Sequence, residues 1–220
     1  MLKTDLHLHA GEDIHHKLKY SSKKLIDYAA SKGFNVLSLT FHEHVYFNKK
    51  IESYAKKKGI LLIPGVERYI EDKEVLIYNV TKKEYKNLNT FDDLRKLKKR
   101  KNILIIAPHP FFLRSNCLGK KLEENIDLFD GIEYSHFYLS WFNRNKKAVK
   151  IAIKYNKTLI GTSDAHNLHQ MNSTFSLVNS NPTIKSFFNA VRNNKTQLIT
   201  KPISLSRFLW RSIKVVLDLE

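Results

Sequence analysis

The chain has 220 residues, of which 42% are hydrophobic and 27% charged. That balance excludes a disordered chain and is enough for one globular domain with a sizeable core. The formal net charge is +17, and one cysteine excludes an internal disulfide. No apolar run reaches membrane-spanning length, and the start, Met1-Leu2-Lys3-Thr4-Asp5, has no apolar leader. These features lead us to expect a cytoplasmic protein. The charge would attract anionic partners, nucleic acid among them. Runs such as Lys96 to Lys101 read more simply as solvated helix ends.

In chain order, Leu2 to Leu8 is predicted as a strand. Ser21 to Lys32 is a helix capped by Ser21 or Ser22, with Leu25, Ile26 and Ala29 on one face and Gly33 as its stop. Val36 to Phe41 is a strand, and Lys49 to Lys58 a helix ended by Gly59. Ile60 to Ile63 is a buried strand leading to Pro64-Gly65, and Glu74 to Val80 an extra strand or hairpin arm. Thr90 caps a helix that reaches about Lys101. The strand Ile103 to Ala107 precedes a short helix, Leu122 to Phe129. Ile132 to Tyr134 is a strand and Trp141 to Tyr155 a helix. The strands Thr158 to Gly161 and Phe175 to Val178 follow, then the helix Pro182 to Asn193, with proline near its first turn.

Ser204 to Leu217 reads as an amphipathic helix, with Phe208, Trp210 and Ile213 set against Arg207, Arg211 and Lys214. Packing on the rest of the chain or at a dimer contact is its plain reading; a partner or membrane surface is the sharper one. No linker or solenoid repeat divides the chain, so residues 1–220 are expected to form one domain. The repeated β–α unit implies a mainly parallel sheet, closed as a barrel or open.

The chemistry follows the strands. They lead into His7 and His9, His42-Glu43-His44, Glu67, His109, His136, and Asp164 with His166. Carboxyl ends of barrel strands are where such folds build their sites. Strand residues two apart share a face, so His7 and His9 can turn toward one ion, and Asp164 and His166 repeat the device. One such pair alone is weak evidence, but the joint placement of all of them points to a metal cluster. Imidazoles with carboxylates suit zinc, manganese or iron better than calcium.

These residues resemble the PHP family, the polymerase and histidinol phosphatase domain. Asp5-Leu6-His7-Leu8-His9 and Ser163-Asp164-Ala165-His166 are the most specific motifs, and the resemblance runs from Asp5 to about Asn193. It implies an α/β fold, a distorted (β/α)7 barrel with its metal site at the C-terminal ends of the strands. It also implies two or three divalent ions. His7, His9, Glu67 and Asp164 would hold the first ion, and Glu67, His109 and His136 the second. The third would be held by a residue of the loop after His9, by the histidine ending strand two, and by His166. Asp13, His15 and His16 are the loop candidates. The family usually has Thr-Asp-His at the end of strand two, where this chain has Thr40-Phe41-His42. Counting from Gly33 selects His42; another register would use Glu43 and His44.

The expected activity is hydrolysis of a phosphate monoester by a hydroxide bridging two ions, with a phosphorylated small molecule as substrate. Glu67, Asp164 and His42 are the expected catalytic residues. Arg68 and Arg114 are candidate phosphate clamps, with surface ion pairs as the plain alternative. Asp5 would orient a ligand imidazole or cap backbone amides. Cys117 reads as an ordinary small side chain and His169 as an exposed loop histidine. The alternative activity is a nuclease or phosphodiesterase acting on nucleic-acid ends. An amidohydrolase would more naturally carry a bridging lysine where this chain has Glu67.

Overall fold

Apolar strands alternating with amphipathic helices fold here into a nine-stranded sheet, ordered β7-β6-β5-β4-β3-β2-β1-β8-β9, in a computed structural model that describes residues 1–209. The strands are β1 (Leu2–Leu8), β2 (Val36–Leu39), β3 (Leu61–Ile70), β4 (Lys73–Tyr78), β5 (Leu104–Ala107), β6 (Gly131–Ser135), β7 (Thr158–Thr162), β8 (Thr174–Val178) and β9 (Thr196–Thr200). The helices are α1 (Ser22–Ser31), α2 (Lys49–Lys57), α3 (Lys82–Tyr85), α4 (Phe91–Lys98), α5 (Lys121–Glu124), α6 (Asn145–Lys154) and α7 (Ile184–Arg192). β1, β2 and β3 pair in parallel, as do β5, β6 and β7, while β4, β8 and β9 pair antiparallel. The expected α/β barrel is thus reached with six parallel strands, an inserted β4 and a closing β8–β9 hairpin.

The sheet curls until its ends nearly meet. At the rim, Leu8 bridges Ala165 in parallel, and the Asp5 carboxylate accepts from Ser163 N at 3.1 Å and Ser163 Oγ at 2.6 Å. Below the rim, the Ser176 hydroxyl of β8 accepts from Gly161 N of β7 at 2.8 Å. Gly161 has no room for a side chain: an added Cβ would lie 2.5 Å from Leu198 Cδ1 and 2.8 Å from Phe175 O. Gly161→Ala is therefore expected to destabilise the protein by roughly 1–3 kcal/mol through overpacking at this seam. Chemical denaturation checks it, and an unchanged midpoint would mean the seam can spread freely.

Local sequence accounts for most elements. Ser21 caps α1 by accepting from Lys24 N, and Leu25, Ile26 and Ala29 form its buried face. Thr90 and Asp93 form a capping box at α4. Leu6, Leu76, Tyr78 and Leu104 of the sheet pack with Phe187 and Phe188 of α7. Two further apolar clusters lie under the remaining helices.

Four elements depart from expectation. β3 runs through Pro64-Gly65 instead of stopping there, because Gly65 lets it press on β2, where a Cβ would meet Ser38 Oγ at 2.2 Å. It then turns through Glu71 and Asp72, both at positive φ, and β4 returns as the hairpin arm. α6 starts at Asn145, not Trp141. Asn143 Oδ1 takes the Asn145 N–H, and the Asn145 side chain clamps Ser135, which fixes a loop before the helix. β9 and the short α3 were not expected. Of the C-terminal helix expected over residues 204–217, residues 205–209 are helical, and Phe208 stacks on Phe137 at 4.6 Å. The rest of it lies outside the described residues. Among the described residues no helix is long and apolar enough to cross a membrane.

Candidate metal centre

β1 delivers His7 and His9 into the barrel mouth, both fully buried, with Leu8 between them on the opposite side. β3 delivers Glu67, which is 2% exposed. His109 follows β5, Asp164 and His166 follow β7, and His42 follows β2. His109 and Asp164 sit at positive φ, 23° and 45°, in a backbone region that costs a non-glycine residue about 1–3 kcal/mol. Both residues are thereby bent back over the strand ends.

The imidazoles share one orientation. Glu67 Oε2 lies 3.1 Å from His7 Nε2, 3.5 Å from His9 Nε2 and 3.2 Å from His42 Nε2. Glu67 Oε1 faces His109 Nε2 at 3.4 Å. Asp164 Oδ1 lies 3.5 Å from both His7 Nε2 and His9 Nε2. Further out, His166 Nε2 meets His16 Nε2 at 3.3 Å.

The other ring nitrogens are held from outside. His7 Nδ1 bonds Glu133 at 2.8 Å, and Asp13 Oδ2 takes His9 Nδ1 at 2.9 Å and His42 Nδ1 at 3.1 Å. His166 Nδ1 meets the Asp164 carbonyl at 3.2 Å. His109 Nδ1 faces Cys117 Sγ at 3.6 Å and Glu74 at 3.8 Å. Outer acceptors fix the tautomer of metal-ligating histidines in this way.

The donor set fits divalent cations. Donors around one ion at zinc–nitrogen distance would lie roughly 3.0–3.4 Å apart, close to the separations here. His9 Nε2 and Glu67 Oε1 are buried without a hydrogen-bond partner, as expected of atoms that need another ligand. Overlapping groups are His7 with His9 and Glu67, His7 with His109 and Asp164, and His9 with Asp164 and His166. A fourth combines His9, Asp13, His16 and His42.

Electrostatics follows from this crowding. Burial alone would lower the His7 and His109 pKa values, but carboxylates around His7, and the Cys117 thiol together with carboxylates around His109, outweigh it and raise both well above the usual range. For His9 the same balance gives about 9, with Asp13 and Asp164 as the main opposing partners. Burial would raise Glu67 and Asp164, yet the neighbouring imidazoles hold both well below ordinary carboxylates. Metal-free protein at neutral pH therefore carries protons on imidazoles that must lose them to ligate. Metal binding is expected to release protons and to tighten as pH rises toward 9. Calorimetry in buffers of different ionisation enthalpy reads the release directly; none at pH 7 would contradict this charge balance.

His16, not the exposed His15, reaches His166 and His42, and the His15 ring stays 6.1 Å from that of His42. His42 enters the cluster, whereas Glu43 turns away to Arg68 and to Tyr69 N, and His44 lies near Tyr46. Arg68 does not face the cluster. Adjacent strand residues point to opposite faces, and its guanidinium is engaged by Glu43, Leu88 O and Asn89. The Arg114 side chain makes no hydrogen bond or ion pair among the described residues, and its charge is felt by Glu74 and Asp164 at the mouth. His136 is buried after β6. Asp5 caps the amides of Ser163 and His7 instead of orienting an imidazole. Burial pushes its carboxyl up to about 7. Cys117 is buried against His109.

Sequence reasoning missed Glu133 and Glu74. Both are carboxylates inside apolar strands, Gly131–Ser135 and Lys73–Tyr78, a placement that itself signals a buried partner. It also left Asp13 as one of several loop ligands, where the structure shows it joining two imidazoles.

Comparison with known proteins bears on the fold. The PHP-associated family model matches residues 142–196. No curated protein sequence matches the chain. A two-domain protein from Bacteroides vulgatus containing a predicted PHP-like metal-dependent phosphoesterase is similar at TM-score 0.68 and 20% identity, over 95% of this chain and 68% of that one. The lesion-specific endonuclease EndoQ from Pyrococcus furiosus is similar at 0.59 and 18% identity, over 90% of this chain and 57% of that one. An amidohydrolase from Chromobacterium violaceum with bound sulfate is similar at 0.58 and 12% identity, over 96% of each chain. The chain thus has a PHP-associated segment over residues 142–196 and a barrel similar in fold to that of a PHP-like protein.

Proposed function

We propose that this chain is a metal-dependent hydrolase of phosphate monoesters. The observation that carries the reading is the common orientation of five imidazoles. His7, His9, His42 and His109 turn Nε2 toward Glu67, His166 turns it toward His16, and outer acceptors face each Nδ1. His7, His9, Glu67 and Asp164 would hold one ion, and Glu67, His109 and His136 a second. Glu67 is suited to both because its two oxygens face different imidazoles. A third would be held by His16, His42 and His166. Bound zinc, manganese or iron supplies Lewis acidity and water of lowered pKa.

The chain's own residues would do the rest. Arg114, unpaired at the mouth, would hold the phosphoryl oxygens. His42, with 13% of its side chain exposed, lies on the solvent side, where its Nε2 would help hold the third ion while Nδ1 stays on Asp13. Asp164 would keep His7 and His9 aligned beneath the substrate. The net charge of +17 would favour anionic substrates.

A second reading, a nuclease or phosphodiesterase, has support in that charge and in the fold shared with an endonuclease. Assaying metal-loaded protein on p-nitrophenyl phosphate and metabolite monoesters, short oligonucleotides and simple amides separates the cases. Turnover of monoesters is the expected result. Turnover of oligonucleotides alone would move the assignment to a nuclease, and of amides alone to an amidohydrolase.

A further inference from the structure

A cleft of about 230 Å³ opens beside the metal centre, lined by His136, Asn167, His169, Gln170, Ser173 and Arg207, with Ile203 completing it. His136 ends β6, Asn167 to Ser173 form the loop between β7 and β8, and Ile203 and Arg207 follow β9. One proposed ligand of the second ion thus belongs to the cleft wall.

Its polar lining includes the carboxamides of Asn167 and Gln170 and the Arg207 guanidinium, while the Ser173 hydroxyl donates to Gln170 O at 2.8 Å. Gln170 Oε1 is occupied by His166 N at 2.6 Å and Asn167 N at 2.8 Å. Asn167 Oδ1 is occupied by His169 N at 3.1 Å. These bonds fix both carboxamides and leave their NH₂ groups without a partner among the described residues. The Arg207 guanidinium also makes no hydrogen bond or ion pair among the described residues, and none of the described residues lining the cleft is a carboxylate. A recess with free NH₂ groups and a guanidinium, and no counter-charge among its described lining residues, suits an anion.

We propose that this cleft receives a second anionic group of the substrate, so that the preferred substrates are phosphate esters carrying a further phosphate or carboxylate. The proposal rests on the phosphate-ester reading for the reacting end. The second group would dock on Arg207, Asn167 and Gln170 while the scissile phosphate lies at the metal centre. Asn167 and Gln170 present fixed NH₂ groups, and Arg207 supplies the charge.

The test uses the full chain loaded with zinc and labelled with ¹⁵N, titrated with inorganic phosphate and separately with acetate. Amide shifts at Asn167, Gln170, Ser173 and Ile203 are expected, and their loss in Arg207→Gln. Response to phosphate alone assigns a second phosphate; response to acetate as well extends the site to carboxylates. Shifts confined to the metal centre, or cleft shifts that persist in Arg207→Gln, overturn the proposal. In parallel, kcat/KM for fructose 1,6-bisphosphate is expected to exceed that for fructose 6-phosphate by about tenfold, the worth of one good charged contact. Arg207→Gln should erase the difference and leave fructose 6-phosphate turnover unchanged. Equal values in the unmodified enzyme overturn the substrate preference. If no phosphate ester turns over while the cleft shifts appear, the hydrolase reading fails and the anion site stands.

Discussion

Glu67→Gln is expected to lower kcat/KM on the order of 10³-fold or more, the largest effect of any single substitution in this chain. Glu67 is 2% exposed and lies within 3.5 Å of His7, His9, His42 and His109. Glutamine keeps the shape but removes the charge that offsets these imidazoles. It also replaces one of the two oxygens with an NH₂ group that cannot ligate. Metal content and activity should therefore fall together. The metal-free protein should also lose stability, by about 3–5 kcal/mol, because buried imidazolium charge is left without its partner. Metal analysis beside kinetics and denaturation checks all three. A variant that keeps full metal and more than a tenth of the activity would show that Glu67 is no ligand.

Asp13→Asn carries the second largest expected effect, a loss of about 10–100-fold in metal affinity. Asp13 Oδ2 accepts from His9 Nδ1, from His42 Nδ1 and from His42 N at 3.1 Å. It is 1% exposed, so water cannot substitute. The two imidazoles hold its carboxyl far below the usual carboxylate range, although burial opposes them. Asparagine offers one acceptor oxygen for these donors and sets an NH₂ group against the rest. Both rings should lose their fixed tautomer at once, which a metal titration followed by competition with a chelator would measure. Affinity within threefold of the unmodified protein would make Asp13 a loop anchor only.

The sequence carried much of the centre because strands have a period. His7 and His9 alternate with buried Leu6 and Leu8, so their common face could be read directly. Glu67, His109, Asp164 and His166 each follow or extend a strand, and the barrel brings such positions together. Loops have no period, and the choice between His15 and His16 depended on how Gly11 to Tyr20 folds back, with Gly11 N bonding Tyr20 O at 2.7 Å. Arg68 was misjudged by nearness in sequence to Glu67, when one step along a strand reverses the side chain. The extent of β3 was hidden by Pro64-Gly65, a pair that usually breaks a strand and here passes tightly against Ser38. β9 escaped notice because Thr196–Thr200 is half-exposed and only weakly apolar.

Anomalous diffraction from crystals loaded with manganese or zinc tests most directly whether these scattered side chains share cations. The predicted result is a peak within ligand distance, about 2.0–2.2 Å, of His7 Nε2, His9 Nε2, Glu67 and Asp164, with further density toward His109. Crystals at saturating metal with no peak among those atoms would contradict it.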